Sequence, residues 1–229
     1  MKAIRSPKIL SKKIRLVWSL DLPKFVIAIF LFQLLPICSL GQQPPLPVEL
    51  FGGNRAMYYQ HVINKNLFSD RFNFFNVTSF EAEHENNQNN IFVVSSLFSY
   101  NLGKGFSVGF GGEIQRPGTF AIVGAQYAYV TKTILLVIFP SMNINGDKEY
   151  THFTLFEYKP NLSDKLKGYF RGQFLVITDF ENYNRGYQQL RLGLQLNNIQ
   201  FGLATNFDQF DNSEITKSNY GLFIRALIF

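Results

Sequence analysis

The most constraining feature of this sequence is a repeated alternation of apolar and polar residues. From residue 71 onward, segments of roughly ten alternating positions are separated by turn residues, which is the pattern of barrel strands. The clearest segment, 188–197, has leucines on one face and Gln189, Arg191, Gly193, Gln195 and Asn197 on the other. Because successive side chains of a strand point to opposite sides, each segment predicts a strand with one apolar face.

We predict ten strands, near residues 71–84, 91–102, 105–115, 119–131, 133–145, 149–159, 166–179, 187–197, 199–210 and 218–229. The connections mostly alternate between tight turns and longer polar loops, as antiparallel up-and-down barrels require. The strand near 133–145 is apolar on both faces, so it also fits a buried strand of a soluble sheet. A twelve-strand barrel is the alternative, if Ala56–Phe68 and part of the preceding linker also pair.

The start of the chain has the order of a secretory signal. Seven basic residues and the single acid Asp21 precede or flank an apolar run from Phe25 to Leu40. We therefore predict a signal peptide at 1–41, a linker or lead-in at 42–69 and the barrel at 70–229. Without residues 1–41 the chain carries 15 basic and 15 acidic residues, so its balance gives no reason to expect a nucleic-acid partner.

Alternation alone does not tell which face of a barrel is inside. A soluble barrel with an apolar interior is the alternative to a membrane barrel with an apolar exterior. The polar faces here carry mostly Gln, Asn, Ser and Gly rather than many charges, which suits a confined lumen. Five tyrosines near predicted strand ends could form interfacial girdles: Tyr127, Tyr129, Tyr158, Tyr169 and Tyr187. We therefore predict an all-β, antiparallel, up-and-down transmembrane β-barrel.

The last segment, Ser218–Phe229, ends on an aromatic residue with no polar tail. It resembles the closing strand of bacterial outer-membrane β-barrel proteins. The resemblance implies a place in the cell outer membrane, with membrane lipid around the barrel. It also implies that the barrel-assembly machinery reads the terminal Phe229. We expect the face Tyr220, Leu222, Ile224, Ala226 and Ile228 to point to lipid.

Six polar residues fall on faces predicted to line the lumen and are candidates for solute binding: Glu113, Arg171, Gln189, Arg191, Asp208 and Arg225. Glu81 and Glu83 also fall on such faces. In a narrow interior, opposite charges pair and cross-link the strands. Barrels of about eight strands are filled by side chains and open channels appear near sixteen, so ten strands leave little room. This predicts a structural role, or solute binding and restricted transport through a largely plugged lumen, with no cofactor and no metal site.

An enzyme at the barrel rim is the alternative function. His84 follows Glu81 and Glu83 at the end of the first predicted strand, and His152 begins the sixth. A histidine with carboxylates can act in acid–base catalysis of lipid or peptide hydrolysis. No metal-ligand spacing accompanies these histidines. The rim carboxylates and His84 are therefore a weaker basis for function than the lumen.

Deleting Phe229 should reduce assembly of the barrel rather than the stability of barrels already assembled. The reason is that the resemblance gives this residue a role in recognition by the insertion machinery. The measurement compares the yield of folded, heat-modifiable protein in membranes with and without Phe229. Equal yields would contradict the role that the resemblance implies.

Overall fold

The computed structural model describes residues 44–116, 118–146, 148–210, 212 and 214–229. It contains the following strands: β1 (Leu46–Gly53), β2 (Ala56–Leu67), β3 (Phe72–Glu83), β4 (Ile91–Gly103), β5 (Phe106–Gln115), β6 (Gly118–Val130), β7 (Ile134–Asn143), β8 (Tyr150–Tyr158), β9 (Leu166–Thr178), β10 (Tyr183–Leu196), β11 (Ile199–Phe210) and β12 (Ile215–Ile228). A 3-10 turn, Asn87–Asn89, precedes β4. The predicted signal peptide, 1–41, lies outside the described residues.

Among the described residues, no helix is long and apolar enough to span a membrane.

The strands form one closed antiparallel barrel. Each strand pairs with its neighbours in sequence, and β1 closes the ring by pairing with β12 from Leu46↔Ile228 to Gly53↔Gly221. The twelve-strand alternative is therefore confirmed. The count of ten omitted β1 and β2, which lie in the segment 42–69 that we interpreted as a linker or lead-in.

The two omitted strands have weak sequence signals for identifiable reasons. β1 has only eight residues and contains Pro47, which removes one backbone donor and made the segment look like a linker. In β2 the outward face carries Tyr59 and His61, so polar residues interrupt what should be an apolar face. Alternation alone could not distinguish this strand from a short helix.

The apolar faces point outward and the polar faces point inward, as predicted for a membrane barrel. Side by side on β10, β11 and β12, Leu192, Leu203 and Leu222 are 61%, 62% and 65% exposed. By contrast, Arg191 and Asn219 on the other face are fully buried in the lumen. A closed barrel leaves no unpaired sheet edge, so such an apolar exterior can be placed in lipid.

The last strand has the orientation that its sequence predicts. Tyr220, Leu222, Ile224 and Ile228 are exposed on the outside, whereas Arg225 is buried inside. The tyrosine girdle is only partly correct. Tyr129 and Tyr158 are exposed outside, but Tyr169 and Tyr187 point into the lumen, where buried polar groups bond their hydroxyls.

We call the end of the barrel at which Leu46 pairs with Ile228 the proximal end, and the opposite end the distal end. Following the strand order, the longer connections 84–90 and 144–149 lie at the distal end. The connection 159–165 is the long one at the proximal end. The two ends therefore differ in the length of chain that they present to solvent.

Replacing the outward-facing Leu203 by arginine should destabilise the barrel in a bilayer by about 2–4 kcal/mol, because a charge then faces lipid near the middle of a strand. Denaturant unfolding in liposomes measures the change. The matched control is Thr216→Arg, an outward-facing position near the distal rim, which should cost about 0–1 kcal/mol. Equal effects of the two substitutions would contradict the outward placement of Leu203.

Candidate functional site in the barrel lumen

Two buried carboxylates form ion pairs with three buried arginines inside the barrel. Glu49 Oε1 accepts a hydrogen bond from Arg191 Nε at 2.9 Å, and Glu49 Oε2 accepts one from Arg171 Nη1 at 3.3 Å. Glu157 Oε1 accepts one from Arg225 Nη1 at 2.7 Å. We call these five residues the lumenal ion-pair network. All of them lie on the lumen side of their strands, away from lipid.

The network crosses the lumen rather than following its wall. Arg171 on β9 donates from Nη2 to Gln60 Oε1 on β2 at 2.9 Å. In ring order β9 and β2 are separated by β10, β11, β12 and β1, so they lie on nearly opposite walls of the barrel. The pair of Arg225 on β12 with Glu157 on β8 spans three intervening strands. These contacts obstruct the part of the lumen that they cross.

Aromatic rings surround the most buried of these guanidinium groups. The Arg191 guanidinium lies 4.9 Å from the ring centre of Phe51, 5.9 Å from that of Tyr58 and 6.0 Å from that of Phe223. Such rings attract a cation through their negative faces, most strongly where water is excluded. Arg191 Nη1 also donates to Asn206 Oδ1 at 2.9 Å. This corner of the lumen is thus packed without a gap for solvent.

A buried tyrosine links the network to the aromatic cluster. The Tyr169 hydroxyl lies 3.4 Å from Glu157 Oε1 and is also contacted by Arg225. Its ring packs against Phe223 with the ring centres 5.7 Å apart. Tyr169 therefore joins the polar and aromatic parts of the filled region.

A second set of ion pairs lies toward the distal end and joins chain segments that are close together in the ring. Arg55 contacts both Glu81 and Glu83, and Lys217 Nζ lies 3.3 Å from Glu83 Oε1. Arg185 on β10 donates from Nε and Nη2 to the two oxygens of Asp208 on β11, at 2.8 and 2.7 Å. We call these the distal ion pairs. The pair of Arg185 with Asp208 joins two adjacent strands and does not cross the lumen.

The structure places all six sequence-predicted candidates on the lumen side. Five of them lie on β9–β12: Arg171, Gln189, Arg191, Asp208 and Arg225. Gln189 donates to the Tyr187 hydroxyl at 3.1 Å. Glu113 is apart from the others, on β5, where it pairs in register with Ser95 and Phe120. Their role in binding solutes remains a prediction.

The sequence analysis missed Glu49 and Glu157, which complete the network, and Gln60, which accepts a hydrogen bond from Arg171. A usable signal was present, because the three predicted lumenal arginines on β9, β10 and β12 exceeded the acids then assigned to those strands. A buried arginine needs a carboxylate partner. The alternation Val48-Glu49-Leu50-Phe51 supplies one, on a segment that we did not count as a strand.

The rim residues of the enzyme alternative are occupied by structural contacts. His84 is exposed in the connection 84–90, with Nε2 3.0 Å from the Gly53 carbonyl oxygen. Glu81 and Glu83 are both held by Arg55. His152 faces outward on β8 between Tyr150 and Thr154, so the strands β4–β7 separate it from His84. Within the described ranges, no group of three or more His, Cys, Asp or Glu residues could hold a metal.

Apolar side chains line the lumen on the side formed by β6–β9. We call this surface the apolar wall; it consists of Ile122, Val137, Phe139, Phe153, Leu155 and Leu175. All of these except Ile122 are half-buried although they face inward. A lumen-facing side chain that is only half-buried borders unfilled space. Both faces of β7 are apolar in the sequence because its outer face borders lipid and its inner face belongs to the apolar wall.

Sequence comparison gives no relative, since no protein-family model and no curated protein matches the chain. Solved structures resemble it in shape. The KdgM porin in complex with disordered oligogalacturonate aligns at 11% identity and a TM-score of 0.49, covering 80% of this chain and 99% of the porin. The NanC porin aligns at 12% identity and a TM-score of 0.48, covering 80% and 100%. LpxR from Salmonella typhimurium aligns at 7% identity and a TM-score of 0.44, covering 80% and 99%. At these values the likeness assigns no solute, partner or activity to this chain.

Three features of the chain itself define its class. The sheet is closed, so no strand edge remains unpaired. The twelve strands are antiparallel, and an even number is usual for bacterial barrels of this kind. The exterior is apolar while the interior holds the charged groups. The chain is a transmembrane β-barrel of the outer-membrane type.

Proposed function

We propose that this barrel provides a restricted pathway for small solutes, rather than a wide unselective pore. The observation that carries the proposal is the lumenal ion-pair network, which connects walls that lie across the lumen from each other. A twelve-stranded barrel is between the filled eight-stranded and the open sixteen-stranded types. Cross-lumen side chains therefore decide how much of it conducts.

The network is suited to remain in place while solutes pass beside it. Its carboxylates and guanidiniums are nearly fully buried, and each arginine contacts at least one carboxylate. Removing one partner of a buried ion pair costs about 3–5 kcal/mol, because the other charge is left without compensation. Thermal motion alone does not open such a network often. The obstruction is thus a permanent part of the lumen.

The pathway that remains follows the apolar wall. Side chains of the network are almost inaccessible, whereas Val137, Phe139, Phe153 and Leu155 are half-buried although they also face inward. This difference indicates that the lumen is filled on one side and open on the other. Solutes that enter the barrel pass along β6–β9.

The orientation of the pathway follows from the connections. We place the proximal end in the periplasm and the distal end, with the connections 84–90 and 144–149, outside the cell. In this orientation β12 ends on the periplasmic side, where the barrel-assembly machinery would read Phe229. Protease cleavage within 84–90 on intact cells tests this orientation.

Weakening the cross-lumen contacts should enlarge the conductance of the barrel. We expect small conductance for the unmodified protein in planar bilayers, and a several-fold increase for Arg171→Gln. Gln60→Ala, which removes the 2.9 Å contact to Arg171 without removing a charge, should give a smaller increase. Single-channel recording measures these changes, beside a heat-modifiability gel that confirms folding.

The matched control is Arg185→Gln, which removes a half-buried lumenal arginine whose partner, Asp208, lies on the adjacent strand. This variant should leave the conductance unchanged, because the pair does not cross the lumen. Large, stable, unselective channels in the unmodified protein would contradict the proposal. Unchanged conductance in folded Arg171→Gln and Gln60→Ala would contradict the role of the network.

A further inference from the structure

We propose that the open side of the lumen binds an organic cation with an apolar body. The body lies on the apolar wall and the charge lies near Glu113 and Glu149, toward the distal mouth. This inference rests on the proposed function, because it names the class of solute that the restricted pathway takes. It depends on the wall, on the charge at its mouth and on the register that joins the two.

The apolar wall is a continuous surface. Phe153 on β8 pairs in register with Phe139 on β7 and with Leu175 on β9. Leu155 pairs with Val137 one step nearer the proximal end. Lipid does not reach these inward-facing side chains, so their accessible area is in contact with water. An apolar solute that covers this area gains the free energy of removing it from water.

Charge complementarity selects the sign of the solute. Glu113 faces the lumen on β5, in register with Ser95 on β4. Glu149, in the connection 144–149, accepts from Asn143 Nδ2 at 3.3 Å and from Asn184 Nδ2 at 2.9 Å. Neither carboxylate has an ion pair within the described part of the chain.

The basic groups near this mouth do not neutralise it. Arg185 on β10 donates from Nε and Nη2 to the two carboxylate oxygens of Asp208. The pair of Arg185 with Asp208 has no net charge. Arg116 and Lys148 also lie at this end, but the distal connections carry four further acids, so the described residues leave the mouth negative: Glu85, Asp179, Glu181 and Glu214. An anionic solute is therefore repelled here and a cationic one is attracted.

Strand register connects the carboxylates to the wall. Glu113 on β5 pairs with Phe120 on β6, and Ile122, two residues further on the same face of β6, pairs with Asn143 on β7. Asn143 is the residue that contacts Glu149. The two carboxylates thus flank the distal end of the apolar wall. One solute can place its charge between them and its apolar body along β7 and β8.

Calorimetric titration of the folded, detergent-purified protein tests this inference. The probe is benzyltriethylammonium, compared with tetramethylammonium, which lacks the apolar body, and benzenesulfonate, which reverses the charge. We expect benzyltriethylammonium to bind more tightly than either. Glu113→Gln and Glu149→Gln should each weaken its binding about tenfold, since each removes one negative charge near the quaternary ammonium. Glu85→Gln, an exposed acid in the connection 84–90, is the matched control and should have no effect.

A substitution in the apolar wall separates the contribution of the solute's apolar body to binding from that of its charge. Phe153→Asn, at the position of the apolar wall on β8 that lies nearer the distal mouth, should weaken benzyltriethylammonium several-fold and leave tetramethylammonium unchanged. Benzenesulfonate binding as tightly as benzyltriethylammonium, or undiminished binding to folded Glu113→Gln and Glu149→Gln, would overturn the inference. Binding is measured without passage, so the two proposals fail separately. Small conductance without cation binding overturns this inference alone, and cation binding in a wide channel overturns the restricted pathway alone.

Discussion

The structure depends on the carboxylate of Glu49. It lies between Arg171 and Arg191, and both guanidiniums are nearly fully buried. Buried charges without partners are among the most costly features that a folded protein can contain. Glu49 reaches these arginines from β1, across the gap that the intervening strands enclose. The barrel can hold three arginines inside because this carboxylate and that of Glu157 meet them there.

The two sides of the lumen differ in the length of the side chains that line them. Long arginine, glutamate and tyrosine side chains fill the side of β1, β2 and β9–β12, where they reach across to each other. Shorter apolar side chains on β6–β9 leave space in front of them. Gly124 adds to this difference, since a Cβ there would lie 2.8 Å from the ring of Phe139, which packs directly on the backbone of β6. The wall is therefore thin at that point, and the ring stays close to it.

Most of the fold could be predicted from the sequence. The alternation over β3–β12 indicates where the strands lie and which face of a strand points inward. Arg191 and Leu192 show this directly, as neighbours with opposite surroundings. β1 and β2 could not be predicted, because Pro47 and the outward His61 obscure the alternation in short segments. Tyr169 and Tyr187 were assigned outward on their position near strand ends. The structure puts them inside, and the alternation already indicated this, because Tyr169 lies two residues from the inward Arg171 and Tyr187 two residues from the inward Gln189.

The sequence analysis predicted that inward charges pair, but it did not predict which residues form the lumenal ion-pair network. Inward charges are expected to pair because they are buried. The partner of each charge, however, depends on which walls of the barrel face each other. Arg171 and Glu49 are separated by 122 positions in the sequence, and Arg191 and Glu49 by 142. No local pattern carries that information. The open side of the lumen was equally hidden, because an apolar inward face on β7 has the same sequence signal as a strand buried in a soluble sheet.

The pairing of β1 with β12 gives the network a role in how the barrel closes. A slip of one residue between these two strands would turn Glu49 to lipid and Leu50 to the lumen, since side chains alternate between the faces. The arginines on β9 and β10 would then have lost their carboxylate, and a charge would face hydrocarbon. Both changes would cost free energy, whereas the backbone hydrogen bonds between β1 and β12 would be as good in the shifted register as before. Glu49 therefore favours the correct register between β1 and β12. Only in that register does the barrel close with the carboxylate of Glu49 beside Arg171 and Arg191.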